Sequence, residues 1–163
     1  MERLALVVGR AAAWIFLAAV VVTVWEVGAR YLFDRPTNWA HETTTTLCAI
    51  GFALGGAYAF ARNEHIRITV VRDRFRPSAR RALEILSLLL GVIYLAGLGY
   101  AAWGQASEAA WRFDATGWAP ELTPGPPNWP LPTIVRVALA AGTLLFLAAV
   151  AQRLVAVIRG RAE

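Results

Sequence analysis

The side chains that could bind a cofactor or do chemistry are few in this chain, and they are widely spaced. Its two histidines, His41 and His65, are twenty-four residues apart. If both lie on one helix, a rise of ~1.5 Å per residue places them roughly 36 Å apart. Two axial ligands of a membrane-embedded haem must approach one ring from opposite sides. These histidines therefore cannot share a haem.

Cysteine and charged-residue chemistry is equally restricted. Cys48 is the only cysteine, so the chain can form no internal disulfide, no CxxC redox pair and no four-ligand zinc site. The charged residues lie at the ends of apolar runs and not together in one polar pocket, which leaves no nucleophile with a base and an orienting group. We therefore predict that the chain is not an enzyme and holds no cofactor or metal.

Composition indicates a membrane protein. The 163 residues are 58% hydrophobic with a mean hydropathy of +0.50, too apolar for an ordinary soluble domain. A net charge of +5 would usually suggest nucleic-acid binding. Here the basic residues lie between apolar runs, so membrane orientation and contacts with anionic lipids explain them better. We predict an all-α membrane protein that binds no nucleic acid.

Four apolar runs predict four transmembrane helices in a single membrane domain covering residues 1–163. The uncharged run 43–61, at ~1.5 Å per residue, roughly matches the thickness of a bilayer core. The first run follows Arg3 and Arg10, a pattern also typical of a cleaved signal peptide. It continues to Phe33 and three more runs follow, which favours a retained first helix. The predicted helices cover about 11–33, 39–61, 79–105 and 133–158.

Arginine placement predicts the orientation. Residues 62–81 carry seven arginines and two acids, a net charge of +5, whereas residues 106–132 have a net charge of −2. Basic loops stay on the cytoplasmic side during insertion. Arg3 and the last arginines of the chain fall on the same side, so both termini are predicted to be cytoplasmic. Apolar residues alternate with arginines in 66–75, which predicts a short interfacial segment within the cytoplasmic loop.

Glu26, late in the first helix, is the one acid that could serve transport. An intramembrane acid is a functional-site hypothesis by default. Four helices with one acid in the first resemble small multidrug exporters, in which a buried glutamate couples protons to substrate. Arg30 follows four residues later, the favourable order for a helix ion pair. A local pair, a bond to a partner subunit and an autonomous proton-coupled carrier using Glu26 are the alternatives.

The second helix has a polar start and a small-residue centre. Asn38 is predicted to be its N-cap and Glu42 to lie in its first turn, where the helix dipole stabilises an acid by ~0.3–1 kcal/mol. Glu42 could instead contact a partner. Gly51 and Gly55 form a GxxxG pair that lets another helix approach, from this chain or another. Comparable close-approach glycines in the third helix are Gly91, Gly97, Gly99 and Gly104.

Tryptophans gather at the side assigned outside the cytoplasm. Membrane proteins usually carry interfacial tryptophans on both faces. Here only Trp14 lies away from the outer loops, which indicates that the outer face also meets protein. Trp39 is therefore either an interface anchor or a docking residue. The tryptophans on the outer side are Trp25, Trp39, Trp103, Trp111, Trp118 and Trp129.

The segments Trp39-Ala40-His41-Glu42 and Arg62-Asn63-Glu64-His65-Ile66-Arg67-Ile68 resemble the small membrane subunit of tripartite ATP-independent periplasmic (TRAP) transporters, the DctQ-like family. That family shows Trp-x-x-Glu at the start of helix 2, a helix of small residues, and an arginine shortly before His-Ile. Two departures stand out. Arg62 precedes His65 by three residues, which is the short form of the family's spacing. Thr69 stands where the family often has an acid.

The resemblance implies a multi-pass subunit of a bacterial inner-membrane complex. In such a complex a periplasmic solute-binding protein delivers an organic acid or similar solute to a large DctM-like permease subunit. The large subunit moves the solute inward with sodium, so sodium is expected there and not on this chain. The small subunit is expected to act as a scaffold. An anchor for an unrelated complex shares the same predicted topology.

The resemblance and the charge pattern together give a set of candidate partner contacts. Arg62 could instead serve only as a topology anchor. His65 could instead serve as a cation at the cytoplasmic end of helix 2, which suits the helix dipole. The candidate interface residues are Trp39, Glu42, Gly51, Gly55, Arg62, His65, Glu26 and Arg30.

Overall fold

The computed structural model describes residues 2–62, 76–114, 117–124 and 128–160. It confirms four helices long and apolar enough to cross a membrane within these residues. The elements are α1 (Glu2–Leu32), α2 (Asn38–Ala61), α3 (Pro77–Ala110), β1 (Phe113–Asp114), β2 (Gly117–Trp118) and α4 (Leu131–Ile158). The two short strands pair antiparallel, Phe113 opposite Trp118. The predicted interfacial segment 66–75 lies outside the described residues.

The helices extend beyond the apolar runs that predicted them. α1 begins at Glu2 and not near residue 11, and α3 continues to Ala110 and not 105. Arginine, glutamate and alanine are good helix formers, so charge at a membrane surface does not end a helix. The end of α4 is instead set by the conformation of the backbone. Gly160, with φ 68°, follows the end of α4 in the left-handed conformation that glycine adopts readily.

The helices pack as an open row in the order α1, α2, α4, α3. Extensive contacts join α1 to α2, α2 to α4, and α4 to α3. α2 and α4 run in the same direction, since Trp39 near the start of α2 lies beside Trp129 just before α4, ring centroids 6.5 Å apart. α3 runs opposite to α4, because Arg81 near its start bonds to carbonyl oxygens at the end of α4. The row has α1 and α3 at its two edges.

Glycine makes the closest helix contacts. Where α4 crosses α2, a Cβ on Gly142 would lie 2.7 Å from the carbonyl carbon of Ala53 and would overlap its oxygen. Where α1 crosses α2, Gly9 lies under the ring of Tyr58. Small residues allow such approach between transmembrane helices, which gain van der Waals contact and no hydrophobic free energy from lipid. Backbone proximity therefore holds the row together.

The third helix uses only some of its glycines for packing. A Cβ at Gly91 would lie 3.7 Å from Val150 of α4, and a Cβ at Gly99 would lie 3.6 Å from Thr143 of α4. Gly97 and Gly104 have no such neighbour within 4 Å, so their predicted close approach is wrong within this chain. Gly97 and Gly104 are seven residues apart and so share one face of α3, which is turned away from the face of Gly91 and Gly99 that meets α4. Leucine and valine fill the rest of the α3–α4 contact, with Leu88, Leu95, Val150 and Val157 as its buried cluster.

The two ends of the row differ in charge. One end holds the start of α1, the end of α2, the start of α3 and the end of α4, and we call it the basic end. Its arginines among the described residues are Arg3, Arg10, Arg62, Arg76, Arg80, Arg81, Arg153 and Arg159. The opposite end holds the turn 33–37 and the strand pair, and we call it the hairpin end. Because the helix number is even, both α1 and α4 bring a chain terminus to the basic end.

Candidate functional site

Glu26 joins α1 to the start of α2. It accepts hydrogen bonds from Arg30 Nη2 at 2.7 Å and Nε at 3.1 Å, which shows the local ion pair directly. It also accepts from the backbone N–H of Thr37 at 3.1 Å and from the Thr37 hydroxyl. Both carboxylate oxygens are therefore engaged. The sequence indicated Arg30 through its four-residue spacing, but Thr37 is eleven residues away and no periodicity connects it.

We expect Glu26→Gln to lower the melting temperature of the purified chain in detergent by a few degrees. The amide has the same shape but loses the charge that Arg30 and Thr37 both contact, and charged acceptors form stronger hydrogen bonds. Tryptophan fluorescence during heating measures the change. Glu108→Gln, an exposed acid at the same end of the row, is the matched control. Equal melting temperatures for the two variants would show that the turn does not depend on Glu26.

The start of α2 corrects two predictions. Thr37, not Asn38, is the N-cap, and its side chain makes no cap hydrogen bond. Asn38 is the first helical residue, and the Thr37 hydroxyl donates to Glu26 in place of a cap bond. Glu42 then lies in the second turn, and the first turn contains no acid. Since the dipole effect is confined to the first turn, it no longer accounts for Glu42.

Glu42 lines a cleft of about 460 Å³ between α2, α4 and the segment before α4, which we call the Glu42 cleft. One carboxylate oxygen of Glu42 (Oε2) is buried, and no described residue bonds to it. The neighbouring hydroxyl of Thr43 is in the same state. The cleft is lined by His41, Glu42, Thr45, Thr46, Ala49, Thr123, Pro124, Leu131, Pro132, Val135 and Arg136.

The polar side chains of α4 beside the Glu42 cleft already have hydrogen-bond partners within the chain. Arg136 forms an ion pair with Glu121, its Nη2 donating to Oε1 at 3.1 Å. The buried hydroxyl of Thr133 donates to the carbonyl oxygen of Glu121 at 3.1 Å. These bonds fix the segment before α4 over the helix start. The sequence did not indicate the Arg136–Glu121 pair, since fifteen residues separate its members.

A second cleft, of about 270 Å³, lies between α1 and α2, and we call it the Glu26 cleft. His41 lines both clefts, so they open on the same face of the row, on either side of α2. His41 and Thr45 are exposed on the ridge between them. The Glu26 cleft is lined by Thr23, Glu26, Val27, Arg30, Tyr31, Ala40, His41 and Thr44.

The GxxxG pair divides between two environments. A Cβ on Gly51 would lie 2.7 Å from Phe16 Cζ, so Gly51 packs against α1 of the same chain. Phe16 also meets Phe52 edge to face, with ring centroids 5.3 Å apart. A Cβ on Gly55 would meet nothing within 4 Å. Of the two glycines, only Gly55 keeps an open face for another chain.

The remaining predicted residues lie apart from the clefts or beyond the described residues. Trp39 contacts Trp129 within the chain. Arg62 Nη1 donates to the hydroxyl of Tyr58 at 3.1 Å, and its guanidinium lies 5.7 Å from that ring's centroid. Arg62 is exposed and closes α2 at the basic end. His65 and Thr69 lie outside the described residues.

The basic end contains interactions that the sequence did not suggest. Arg81 Nη2 donates to the carbonyl oxygens of Val157 and Ile158 at 3.0 and 2.9 Å, which caps α4 from the neighbouring helix. Glu84 lies 3.6 Å from Arg153, so an acid of α3 pairs with a base of α4. A cation near a helix C-terminus is favourable. Arg81 therefore has a structural role as well as a charge.

The donor sets of the described residues suit association better than reaction. No group of three or more histidine, cysteine, aspartate or glutamate side chains converges in the described part of the chain. Among the described residues, the buried side-chain acceptors without a partner are Oε2 of Glu42 and the hydroxyl of Thr43. A carboxylate oxygen in that state binds an N–H donor or a cation. The cleft can therefore hold a positively charged or N–H group.

Comparison with known proteins agrees with this membrane architecture. Residues 3–160 match the family model described as "Tripartite ATP-independent periplasmic transporters, DctQ component". A curated relative, the sialic acid TRAP transporter small permease protein SiaQ of Vibrio cholerae serotype O1, is 33% identical over 87 residues. That match covers 51% of this chain and 50% of the relative, so the chain spans about half the relative's length in the match. The match to the family model extends over nearly every described residue, and the chain therefore belongs to the DctQ component family, the small multi-pass membrane subunits of tripartite ATP-independent periplasmic transporters.

Proposed function

We propose that this subunit is a scaffold for a large permease subunit and does not itself carry solute. The open row of helices is the observation that supports the proposal. With α1 and α3 at opposite edges, the helices form a slab and do not surround a central path. The slab exposes large apolar side chains, among them Trp14, Val21, Leu90 and Ile93. Such a surface suits lipid on one side and a second membrane subunit on the other.

The helix interiors lack the features of a solute site. Substrate and ion sites of secondary transporters are typically built from broken helices near the bilayer midplane. Here α1, α2, α3 and α4 are each continuous. Their central stretches 11–25, 43–61, 85–107 and 137–152 contain no charged residue. Glu26, the one acid considered for proton coupling, has both carboxylate oxygens engaged by Arg30 and Thr37.

The proposed orientation places the basic end in the cytosol of a bacterial inner membrane. Arginine-rich segments remain on the cytoplasmic side during insertion. The described arginines at the basic end outnumber the two described acids there, Glu2 and Glu84. Both termini are then cytoplasmic, and the hairpin end faces the periplasm. A solute-binding protein would approach from the hairpin end.

The proposed partners are a large DctM-like permease subunit and a periplasmic solute-binding protein, with anionic lipids at the basic end. The family description names a tripartite transporter, which supports two further components. The relative's name refers to sialic acid, which supports an organic acid as the class of solute. Coupling to sodium is proposed to reside on the large subunit.

Reconstitution in liposomes tests the scaffold role. We expect uptake of solute, under an inward sodium gradient, only when this chain, the large permease subunit and the binding protein are all present. The large subunit and binding protein without this chain should give at most a small fraction of that rate. Radiolabelled solute retained on filters measures uptake. Uptake by this chain alone, abolished by Glu26→Gln, would overturn the scaffold role in favour of an autonomous carrier.

A further inference from the structure

We propose that the Glu42 cleft receives a lysine or arginine side chain of the large permease subunit, a proposal that rests on the scaffold role. No described residue of this chain fills the cleft. Its chemistry combines one buried carboxylate oxygen, on Glu42, with apolar walls from Ala49, Leu131 and Val135. A lysine or arginine side chain is complementary to this cleft, because it carries a charged head on an apolar stem.

The buried oxygen of Glu42 is the first reason for a cationic occupant. Glu42 is half-buried, but a buried carboxylate oxygen without a hydrogen-bond donor is unfavourable, and such atoms are normally paired. Arg136 is the arginine in the cleft wall, but it is engaged with Glu121 through two contacts. Glu42 thus lacks a donor among the described residues. A cation from another chain supplies the missing hydrogen bond and offsets the charge.

The position of the cleft is the reason for choosing the membrane partner over the binding protein. The lining includes Glu42 and Ala49, seven residues apart on α2, which is ~10 Å along the helix axis. The cleft therefore runs from the hairpin end into the membrane-spanning part of α2. A soluble binding protein reaches only the outer end of such a cleft. A helix of the large subunit lies alongside its whole length.

The surface beside the cleft supports the same choice. His41, Thr45 and Phe52 are exposed on α2, and Gly55 continues this line with open space around it. These residues are spaced by four, seven and three positions, so they form one stripe on the helix. Polar and small residues on a transmembrane helix typically mark contact with another helix and not with lipid. A partner helix on this stripe brings its side chains to the opening of the Glu42 cleft.

The test compares Glu42→Gln in the isolated chain and in the complex. In the isolated chain we expect the melting temperature to stay the same or rise, because the variant removes a charge that has no partner. In the complex we expect affinity for the large subunit to fall by at least about tenfold, as for a buried charge that loses its partner. Microscale thermophoresis in detergent measures the affinity for the large subunit, and thermal unfolding measures the melting temperature. Glu108→Gln, an exposed acid at the same end, should change neither quantity.

The opposite signs separate docking from a structural role. If Glu42→Gln lowers the melting temperature of the isolated chain and leaves affinity unchanged, Glu42 serves the fold and the proposal is wrong. If the unmodified chain does not bind the large subunit at all, the scaffold role itself fails. If the unmodified chain binds and Glu42→Gln binds equally well, only the inference about the cleft fails.

A photo-crosslinking amino acid at Thr45, on the rim of the cleft, identifies the occupant in the full complex. We expect a cross-linked peptide of the large subunit with a lysine or arginine close to the attachment point. The same probe at Ile93, exposed on α3 at the edge of the row, is the matched control and should not label that peptide. Attachment only to lipid, or to the solute-binding protein, would overturn the proposal. Val135 offers a second probe position on the opposite wall if the Thr45 variant does not assemble.

Discussion

Replacing Gly142 by alanine is expected to lower the melting temperature of the purified subunit by roughly 2–10 °C, the range that ~1–3 kcal/mol of overpacking produces in a chain of this size. A Cβ at this position would overlap the carbonyl oxygen of Ala53. The obstacle is backbone, which cannot rotate away as a side chain can. α4 must therefore move off α2 along the central contact of the row.

Gly97→Ala is the matched control for this prediction. It makes the same substitution in a transmembrane helix, but a Cβ there meets nothing within 4 Å. We expect its melting temperature to stay the same or rise slightly, since alanine favours helix over glycine. Fluorescence-detected unfolding in one detergent compares both variants with the unmodified chain. A Gly142→Ala variant as stable as Gly97→Ala would show that α2 and α4 do not cross as closely as the structure has them.

The second large effect is expected to separate the two glycines of the GxxxG pair. Gly51→Leu should destabilise the isolated chain by ~1–3 kcal/mol, because its larger side chain meets Phe16 and the aromatic pair it forms with Phe52. Gly55→Leu should leave the isolated chain folded and stable. In the complex it should weaken association, because a leucine would project from the stripe proposed to contact the large subunit.

The two glycine variants are measured in parallel by thermal unfolding of the isolated chain and by co-purification with the large subunit. Since the substitution is the same and the positions are one turn apart on α2, each variant controls for the other. Loss of stability in both would contradict the open space at Gly55, and loss in Gly55→Leu alone would contradict the placement of Gly51 against α1. Normal co-purification of Gly55→Leu would argue that the partner uses another face.

The four membrane-crossing helices followed from the sequence because the bilayer simplifies the problem, whereas the strand pair β1–β2 was not predicted. A membrane requires long apolar helices, and these appear as uncharged runs such as 43–61. Helix ends were less predictable. The predicted cap at Asn38 failed because Thr37 is held by Glu26, a tertiary contact that no local rule contains. Local patterns thus describe elements well and their junctions poorly.

The site was only partly predictable, for a related reason. Glu42 and Gly55 were proposed from a motif and from spacing, but their surroundings depend on which helices become neighbours. The order α1, α2, α4, α3 is not evident from composition, because each of the four helices is apolar enough to cross a membrane and hydropathy does not say which of them become neighbours. The contact between Gly142 and Ala53 and the pairing of Arg136 with Glu121 therefore had no signal in the sequence. They follow only from the three-dimensional arrangement.

The order of the row also constrains the sequence of events during synthesis. α1 and α2 are consecutive and touch, so they can associate as soon as both have entered the bilayer, and α3 and α4 can do the same later. The seam between α2 and α4 joins these two hairpins and must wait for the last helix to be made. Until then the nascent chain leaves uncovered the side of α2 that carries Ala53 and Gly56. Completion of α4 is therefore the step that closes this surface, and a ribosome stalled before it would leave a half-built protein that membrane quality control can recognise.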